Sequence, residues 1–503
     1  MNRYEQAYRF SHSWFRDEGG HDFFMIDDFS FGLLSQVYVY QQVLRGLEME
    51  HTDGGDRSGR RLSFQAIIRF LKKHHLDSNT RQLGSSVYAL RHGLSEQILG
   101  APDILFVFDV WNSAMINSLL AVRSKIPKDR KVVSLCFDPR VFKQVSGRHN
   151  GTPVLFRGGR TRGDDRQSEA IYTQIRAVYH KERNGIQKLV KQQLPRHHDS
   201  FMEWIDRLIA RFYRQTCRDY IVLGKSLERH RPSCVVLASD SHKFARMVTL
   251  LARRLGVKSF VIQHGATVGK HAYVPLFADR IAVWGQISRQ WFLENDVPAE
   301  RIVVTGAPGL DRLFELKRSS AGSTDNKNGV PPTLVVATNP IGQSLNFRFW
   351  NIVCEGLRPL SAQCQIVLKL HPGESDQDFF AARAKESRLP WNIVTRGDIH
   401  ELILRAAAVI TTQSTVGIEA VAGGTPLIVV DVPDLQCAIP YKDYRCVRSV
   451  TTSDALAATV RSILDSDAVS EEGRRSAERF VQDYLYKVDG NAAQRVVEMV
   501  LRD

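Results

Sequence analysis

The sequence has few cysteines, and no two of them are spaced for a metal or redox centre. Its seven cysteines lie scattered among 503 residues, with no C-x-x-C pair and no zinc-ligand spacing. Several sit inside apolar runs, as Cys234 does in a Cys-Val-Val-Leu stretch, which is typical of reduced core residues. These features exclude a disulfide scaffold and a zinc module, and they favour a reducing compartment.

Long apolar runs and a leader-like N-terminus are missing as well. The first six residues, Met-Asn-Arg-Tyr-Glu-Gln, lack the basic-then-apolar pattern of a signal peptide. The longest weakly polar stretch, residues 406–431, is interrupted by Thr and Gln side chains and by Glu419, so two strands flanking a short helix explain it better than a membrane span. We expect a cytoplasmic protein whose contact with the inner face of the plasma membrane would be peripheral.

The charge balance is strongly basic. The formal net charge is +14, which favours anionic partners such as nucleotides, phospholipid head groups or nucleic acid. The Lys and Arg residues are spread through predicted helices, with no basic stripe interleaved with aromatic residues and no nucleic-acid-binding module. We therefore expect no nucleic-acid partner, and a basic nucleic-acid- or membrane-binding scaffold remains the alternative from another class.

An apolar strand, a turn, an amphipathic helix and a further apolar strand recur along the chain, which predicts parallel α/β sheets. One series of predicted strands covers residues 104–109, 131–137, 234–238, 258–263, 280–284 and 301–305. A second series covers residues 333–337, 364–370, 391–394, 408–412 and 426–430.

The polar, turn-rich segment between the two series predicts an interdomain linker. The resulting domains are residues 1–318, with a helical insertion at about 140–232, the linker 319–332, and residues 333–503 with C-terminal helices. Two Rossmann-like domains joined in this way place a ligand in the cleft at the carboxyl ends of both sheets.

Polar residues follow the predicted strands at four places, two in each domain. In the C-terminal domain, Ser414 or Thr415 can cap a helix whose N-terminus would bind a phosphate, and Glu419 one turn later can accept hydrogen bonds from ribose. His371 precedes Pro372 at another strand end, where it can hold a phosphate oxygen or protonate the leaving nucleotide. A capped helix and a core histidine are the ordinary alternatives.

The two strand ends of the N-terminal domain predict the acceptor side. His264, between Gln263 and Gly265, can act as a base or contact a diphosphate, and the glycine would let backbone approach a ligand closely. Asp240, two residues before His242, is the alternative base, although it can equally cap the following helix. Four polar clusters at matching strand ends are a stronger indication than any one of them.

The order of these motifs resembles the GT-B superfamily. The matching segments are Gln263-His264-Gly265, a Thr-Gly-Ala-Pro-Gly-Leu-Asp-Arg run that includes Gly306, a Lys-Leu-His-Pro run at His371, and Ser414-Thr415 with Glu419. Within it, the chain is most similar to bacterial surface-polysaccharide enzymes, namely CDP-glycerol glycerophosphotransferases, capsule Kdo transferases and sialyltransferases with HP and S/T motifs. The resemblance covers roughly residues 232–435.

The resemblance implies a metal-independent glycosyltransferase without a cofactor. It assigns the nucleotide to the C-terminal domain and the acceptor, a polysaccharide or glycolipid, to the N-terminal domain, with a CMP-sugar as the first choice of donor. The nucleotide-binding residues implied are His371, Pro372, Ser414, Thr415, Glu419 and Gly306. The acidic-acidic-Gly motif of the sialyltransferases is not evident, since Asp27-Asp28 is followed by Phe29.

A non-hydrolysing UDP-N-acetylglucosamine 2-epimerase is the second interpretation, because that family has a similar order of motifs. Its Ser-Gly-Gly loop is replaced here by Ser-Thr-Val-Gly, beginning at Ser414. The present chain is also more than about a hundred residues longer than such enzymes, in the size range of a larger multidomain protein.

Overall fold

Two parallel sheets organise the chain, which confirms the predicted α/β class. The computed structural model describes residues 2–17, 19–52, 101–146, 151–156, 161–267, 269–320, 331–371, 374, 377–395, 397–435, 439–465 and 470–502. The predicted linker falls mostly outside these ranges.

The N-terminal sheet has seven parallel strands in the order β5-β4-β3-β6-β7-β8-β9. Its central strands are buried along their whole length, because helices cover both faces and only continuous apolar runs fit there. The strands are β3 (Ile104–Phe108), β4 (Val132–Cys136), β5 (Thr152–Leu155), β6 (Cys234–Leu237), β7 (Lys258–Ile262), β8 (Arg280–Val283) and β9 (Ile302–Val304). A short antiparallel pair, β1 (Met25–Ile26) and β2 (Phe29–Ser30), precedes them.

Helices surround this sheet and also build the predicted insertion. They are α1 (Arg3–Ser13), α2 (Gln36–Thr52), α3 (Ser113–Lys125), α4 (Pro139–Ser146), α5 (Arg162–Gln193), α6 (His198–Arg207), α7 (Arg214–His230), α8 (Lys243–Arg254), α9 (Gln286–Glu294) and α10 (Asp311–Ser320). A π-helical segment, Leu208–Tyr213, joins α6 to α7. The described residues of the predicted helical insertion form mostly helices, together with β5, which adds an edge strand to the sheet.

The C-terminal sheet has six parallel strands in the order β12-β11-β10-β13-β14-β15. They are β10 (Thr333–Ala337), β11 (Gln365–Lys369), β12 (Trp391–Val394), β13 (Ala408–Thr411), β14 (Leu427–Val430) and β15 (Val447–Val450). The helices are α11 (Gln343–Leu357), α12 (Gln377–Ser387), α13 (Ile399–Arg405), α14 (Thr415–Gly423), α15 (Ser453–Leu464), α16 (Glu471–Leu485) and α17 (Ala492–Arg502).

The last helix crosses from one domain to the other. Residues 333–503 were assigned to the C-terminal domain by sequence, but the apolar side of α17 packs into the core of the N-terminal sheet. Val496 and Val500 lie there with Phe106 and Leu119 of the N-terminal domain. The amphipathic pattern of α17 specifies an apolar face but not which sheet receives it. Among the described helices, none is long and apolar enough to cross a membrane.

Candidate active site at two sheet edges

The carboxyl edge of the N-terminal sheet brings three polar segments together. β3, β6 and β7 are neighbours in the sheet, and the sheet order reverses between β3 and β6. Asp109 follows β3, Ser239–His242 follow β6, and residues 263–267 follow β7. Ligands of open α/β sheets bind at such a reversal, outside the carboxyl ends of the strands.

Asp109 is the most perturbed acid at this edge. Its side chain is 6% exposed, and the Oδ2 atom has no hydrogen-bond partner. Burial raises the pKa of this carboxyl to about 7, against a smaller lowering by nearby backbone amides. The Nδ1 atom of His242 lies 3.9 Å from Oδ2, which is beyond hydrogen-bond range, and it too is buried without a partner. Such buried, unpaired polar atoms are expected where a ligand supplies the missing partner.

His264 is held in one orientation by its own sheet. Its Nδ1 atom lies 2.8 Å from the carbonyl oxygen of Ala238 and therefore donates the ring proton to it. Burial lowers the pKa of His264 to about 4, and the same cause lowers the pKa of His242 to about 4. Both rings are neutral at pH 7, and in His264 the Nε2 atom is left as the proton acceptor.

Hydrogen bonds of Gln263 and Gly265, which were also predicted for the acceptor side, hold the loop after β7 in place. Gln263 is fully buried, and its amide bonds the backbone of Trp284 and Gly265. The Tyr273 hydroxyl accepts from the Gly265 amide and donates to the Gly265 carbonyl. Gln263 and Gly265 thus stabilise the loop that carries His264. The sequence analysis had predicted that these two residues contact the acceptor.

Asp240, predicted as a base, is bound by the protein itself. Its Oδ2 atom accepts hydrogen bonds from the amides of Phe277 and Ala278, at 2.6 and 2.9 Å. The buried Arg246 side chain donates to the Asp240 carbonyl and to the carbonyl of Leu33. With 1% of Asp240 exposed, the carboxylate ties the end of β6 to the returning loop and is not presented to a ligand.

His271 belongs to this edge, and the sequence analysis missed it. Its ring stacks on Tyr40 of α2 at 4.1 Å between centroids, and its Nδ1 atom is buried without a partner. Burial lowers the pKa of His271 to about 4, with a smaller contribution from His242. Both His264 and His271 lie in the connection between β7 and β8, where their spacing of seven residues carries no helical meaning, so the available signal was a second histidine in the same loop.

The carboxyl edge of the C-terminal sheet presents a helix N-terminus. Here the order reverses between β10 and β13, and α14 begins directly after β13. Ser414 caps this helix by accepting from the amide of Val416, and Thr415 is its first residue. The Thr412 hydroxyl is buried there without a partner. A helix start of this kind attracts anions through its free amides and the helix dipole.

His371 follows β11, which pairs with β10 on the side opposite β13. Its amide donates to the Thr338 hydroxyl at the end of β10. Burial lowers the pKa of His371, with a further lowering by the charge of Lys369. Lys369, which the sequence analysis did not single out, is buried, and its ammonium group bonds the Leu370 carbonyl. Pro372 lies outside the described residues.

Glu419, predicted to bind ribose, lies one turn inside α14 and faces His400 of α13. The Nε2 atom of His400 is 3.4 Å from Oε2 of Glu419, which accepts no hydrogen bond of normal geometry. On its other side, His400 lies 3.9 Å from Asp398, which pairs with Arg312 at 2.6 Å. A chain of ionisable side chains therefore runs from Arg312 of α10 through Asp398 and His400 to Glu419, the acid predicted for ribose.

Gly306 lies against the crossing C-terminal segment. Its φ of +89° suits glycine, and a Cβ there would come within 3.1 Å of both Ala492 and Arg495. The sequence analysis predicted that Gly306 contacts the nucleotide. In the structure, the need for a glycine at this position is explained by the close packing of the C-terminal segment. Among the described residues, no group of three or more His, Cys, Asp and Glu side chains is arranged to hold a metal ion.

No protein-family model matches the sequence, and no curated protein matches it by sequence comparison. Solved structures do match. The UDP-GlcNAc 2-epimerase of Neisseria meningitidis bound to UDP-GlcNAc has a TM-score of 0.52 at 12% identity, over 80% of this chain and 100% of that chain. The Methanocaldococcus jannaschii UDP-GlcNAc 2-epimerase in complex with UDP-GlcNAc and UDP gives 0.51 at 12% identity, over 80% and 99%.

A putative UDP-N-acetylglucosamine 2-epimerase from Listeria monocytogenes gives a TM-score of 0.50 at 14% identity, over 80% of this chain and 96% of that one. At such low identity these likenesses bear on the fold alone. Together with the two parallel sheets, they show that the chain has the GT-B fold, two Rossmann-like domains facing each other across a cleft.

Proposed function

We propose that the protein is a glycosyltransferase that moves a sugar from a nucleotide-activated donor to an acceptor hydroxyl. The observation that carries the proposal is the pair of polar clusters at the two sheet reversals. One cluster offers a helix N-terminus on the sheet that also carries Lys369 and His371, and the other offers an acid with one unpartnered oxygen beside neutral histidines. Donor and acceptor chemistry need these two different environments.

The C-terminal cluster suits the leaving nucleotide. In transfer, the bond between the anomeric carbon and the phosphate oxygen breaks, and the phosphate leaves with the electron pair. The amides at the start of α14, with Ser414 and Thr415, would bind that phosphate, the Lys369 charge would add positive potential, and His371, whose lowered pKa leaves it neutral at pH 7, would offer a hydrogen bond. Glu419 would accept hydrogen bonds from the ribose hydroxyls.

The N-terminal cluster suits removal of the acceptor proton. In a transfer with inversion, the acceptor oxygen attacks the anomeric carbon while its proton passes to a base. Asp109, with a pKa of about 7, is ionised in a large fraction of molecules at neutral pH and holds a proton acceptor without a partner. His264 presents Nε2 in the same region, so the two residues would form the acceptor-side machinery, with Asp240 holding the loop.

The donor and acceptor classes rest on the resemblance of the motifs. A cytidine nucleotide is the first choice of donor, and a cell-surface glycan or glycolipid is the proposed acceptor. In this arrangement protein groups stabilise the charge of the leaving phosphate, so no metal ion is needed for that purpose. We therefore expect transfer to continue in EDTA. Transfer that is lost in EDTA and restored only by Mg²⁺ or Mn²⁺ would contradict this part of the proposal.

Epimerisation of a UDP-sugar is the second candidate. Three solved structures with this fold are described as UDP-GlcNAc 2-epimerases, two of them with bound UDP-GlcNAc. An acid and histidines at one sheet edge could also serve proton transfer at a sugar carbon. The two activities differ in product, because transfer releases a nucleotide for every acceptor glycosylated and epimerisation has no acceptor.

A nucleotide screen tests the proposal first. CMP, CDP, UDP, GDP and ADP are added separately, and the shift in thermal midpoint is measured; a ligand at 100 times its Kd should add about 2.7 kcal/mol of stability. We expect a cytidine nucleotide to give the largest shift, and the variant Ser414→Ala to reduce it. The protein is then incubated with the matching nucleotide sugar and a glycan acceptor, and nucleotide release is followed.

Four outcomes test the two candidates. Acceptor-dependent nucleotide release supports the transferase. Conversion of UDP-GlcNAc to its C2 epimer without an acceptor supports the epimerase. If no nucleotide shifts the midpoint at millimolar concentration, both proposals fail. A shift with GDP alone would overturn the cytidine assignment and leave the fold-level proposal standing.

A further inference from the structure

The basic charge of the protein is concentrated in one region. Residues 140–232 contain twenty Lys and Arg against nine Asp and Glu, an excess of eleven in a chain whose net charge is +14. This region forms the helices α5, α6 and α7 beside the N-terminal sheet. A single-sign field of this kind raises the local concentration of anionic partners.

Two of the four acidic side chains of α5 pair with cations of a neighbouring helix. Asp164 pairs with Lys225 of α7, and Glu169 pairs with Arg214 at 3.1 Å. These pairs lie on the sides of α5 that face its neighbours, whereas the buried residues between them include Tyr172 and Tyr179. These two acids neutralise cations of the packed helix α7, and Glu182 lies beside Lys181 of α5 itself, so the solvent side of α5 keeps an excess of positive charge.

The solvent side of α5 carries five cations, two near its N-terminus and three towards its C-terminus, which we call the α5 basic stripe. Its five members are all exposed: Arg162, Arg166, Lys181, Lys188 and Lys191. At about 100° per residue they fall within an arc of about 100°, and the four acidic residues of α5 lie off this arc. Apart from Lys181, which lies 3.7 Å from Glu182, no member forms an ion pair with a described residue.

The shape and composition of the stripe favour a flat anionic surface. A helix of 32 residues is about 48 Å long, so the stripe extends over several lipid head groups. The other exposed residues on the arc are small or polar, including Thr173, Ala177 and Asn184. The aromatic side chain on the arc is the imidazole of His180, and no large apolar side chain is there to insert among acyl chains.

We propose that the α5 basic stripe docks the protein on an anionic lipid bilayer by electrostatic attraction alone. Cations near an anionic leaflet gain favourable energy within about a Debye length of the surface. Because nothing inserts, the attachment is fully reversible by salt. This inference stands apart from the proposed function, since it concerns a surface that is separate from both sheet edges.

Vesicle co-sedimentation tests the stripe. The purified protein is mixed with vesicles of phosphatidylcholine alone or with 30–40% phosphatidylglycerol (roughly the anionic fraction that gives a strong surface potential). We expect binding only to the anionic vesicles in about 0.1 M NaCl and release in about 0.5 M NaCl. The triple variant Arg166→Glu, Lys188→Glu, Lys191→Glu should bind at least about tenfold more weakly.

A matched variant controls for net charge. Lys385→Glu, Arg448→Glu and Arg461→Glu make the same charge change at exposed positions of the C-terminal domain. We expect this variant to keep most of the vesicle binding, and both variants to keep the wild-type thermal midpoint. If the α5 variant has a lower midpoint, Lys188→Gln with Lys191→Gln replaces it, with a smaller loss of binding expected.

Several results would overturn the inference. Equal losses in the two triple variants would show that net charge, not the stripe, drives binding. Binding that survives 0.5 M NaCl would show insertion. If the wild type ignores anionic vesicles but binds duplex DNA through the stripe, measured by fluorescence anisotropy, the surface is a nucleic-acid site and the lipid assignment is wrong.

Discussion

At the residue scale, the two buried carboxylates Asp109 and Asp240 have opposite surroundings. Asp109 has an unpartnered oxygen, whereas Asp240 accepts two backbone hydrogen bonds beside the buried cation Arg246. We expect Asp109→Asn to fold well and to lose on the order of 10²–10⁴ in transfer rate, with nucleotide affinity unchanged. Asp240→Asn should instead lower the free energy of unfolding by about 1–3 kcal/mol, because a hydrogen-bonded acceptor is weakened.

The pH dependence sharpens this comparison. The pKa of Asp109 is raised to about 7, so its ionised fraction, and with it the transfer rate, should rise between pH 6 and 8. The raised pKa also means that the folded state loses stability as pH increases from the ordinary value of 3.8 towards 7. Asp109→Asn should remove both trends and be more stable than wild type at pH 8. Transfer retained at wild-type level in Asp109→Asn would rule this residue out as the base.

The sequence located these residues but not their partners. Asp240, His264 and Ser414 were predicted at the carboxyl ends of strands, and the structure places them there. The hydrogen-bond partners of the Asp240 carboxylate come from a loop more than thirty residues further along the chain, since the amides of Phe277 and Ala278 donate to it. Local pattern carries no information on such a contact, so the choice between Asp109 and Asp240 needed the three-dimensional structure.

At the element scale, the position of the start of α14 depends on the close contact between Gly417 and Tyr441. Gly417 lies in its first turn, and a Cβ there would come within 2.5 Å of the Tyr441 hydroxyl, which donates to the Ser414 carbonyl. Helix propensity alone predicts that Gly→Ala stabilises by about 1 kcal/mol. We expect the opposite sign here: Gly417→Ala should destabilise by about 1–3 kcal/mol and weaken nucleotide binding, because the helix start must move.

A second glycine provides the control. Gly185 lies in α5 with nothing within 4 Å of the position that a Cβ would take. Gly185→Ala should therefore stabilise by about the propensity difference of 1 kcal/mol, as measured by urea denaturation. Adding Tyr441→Leu to Gly417→Ala should restore part of the nucleotide affinity. If Gly417→Ala behaves like Gly185→Ala, the close contact does not constrain the helix.

The sequence predicted the central strands of both sheets and missed an edge strand of each. β5 and β15 lie at sheet edges, where one side is not paired. Pro153 interrupts the apolar pattern of β5, and the two middle residues of β15 are exposed, so neither reads as a continuous apolar run. Hydrophobic runs therefore found the buried strands, and of the half-solvated edge strands they found β12 but not β5 or β15.

At the scale of the whole molecule, the C-terminal segment joins the two domains. α16 packs with the C-terminal core, while α17 covers the N-terminal sheet. The sequence could not assign α17 to a domain, because an amphipathic helix at the end of a chain can reach either sheet. The sequence analysis placed the Thr-Gly…Asp-Arg motif in the nucleotide site. In the structure this motif contacts the C-terminal segment that leads into α17.

Asp311 of this motif fixes the start of α17. Its two carboxylate oxygens accept from the amides of Ala492 and Ala493, at 3.1 and 2.8 Å, and the residue is buried. Asp311→Ala leaves both amides without an acceptor at a helix start, so we expect a loss of about 1–3 kcal/mol in the free energy of unfolding. Glu315→Ala, an exposed acid on the same helix α10, should change stability by less than about 0.5 kcal/mol.

Limited proteolysis distinguishes local release of α17 from general destabilisation. Lys487 lies in the segment between α16 and α17, where trypsin can cut once the helix detaches. In Asp311→Ala, cleavage after Lys487 should come first and faster than in wild type, while the rest of the chain stays intact. Release of α17 would also expose the apolar face of the N-terminal sheet, so the cleaved protein should bind a hydrophobic dye. If the variant is cut at many sites with no early product at Lys487, Asp311 supports the fold as a whole and not the crossing of the last helix.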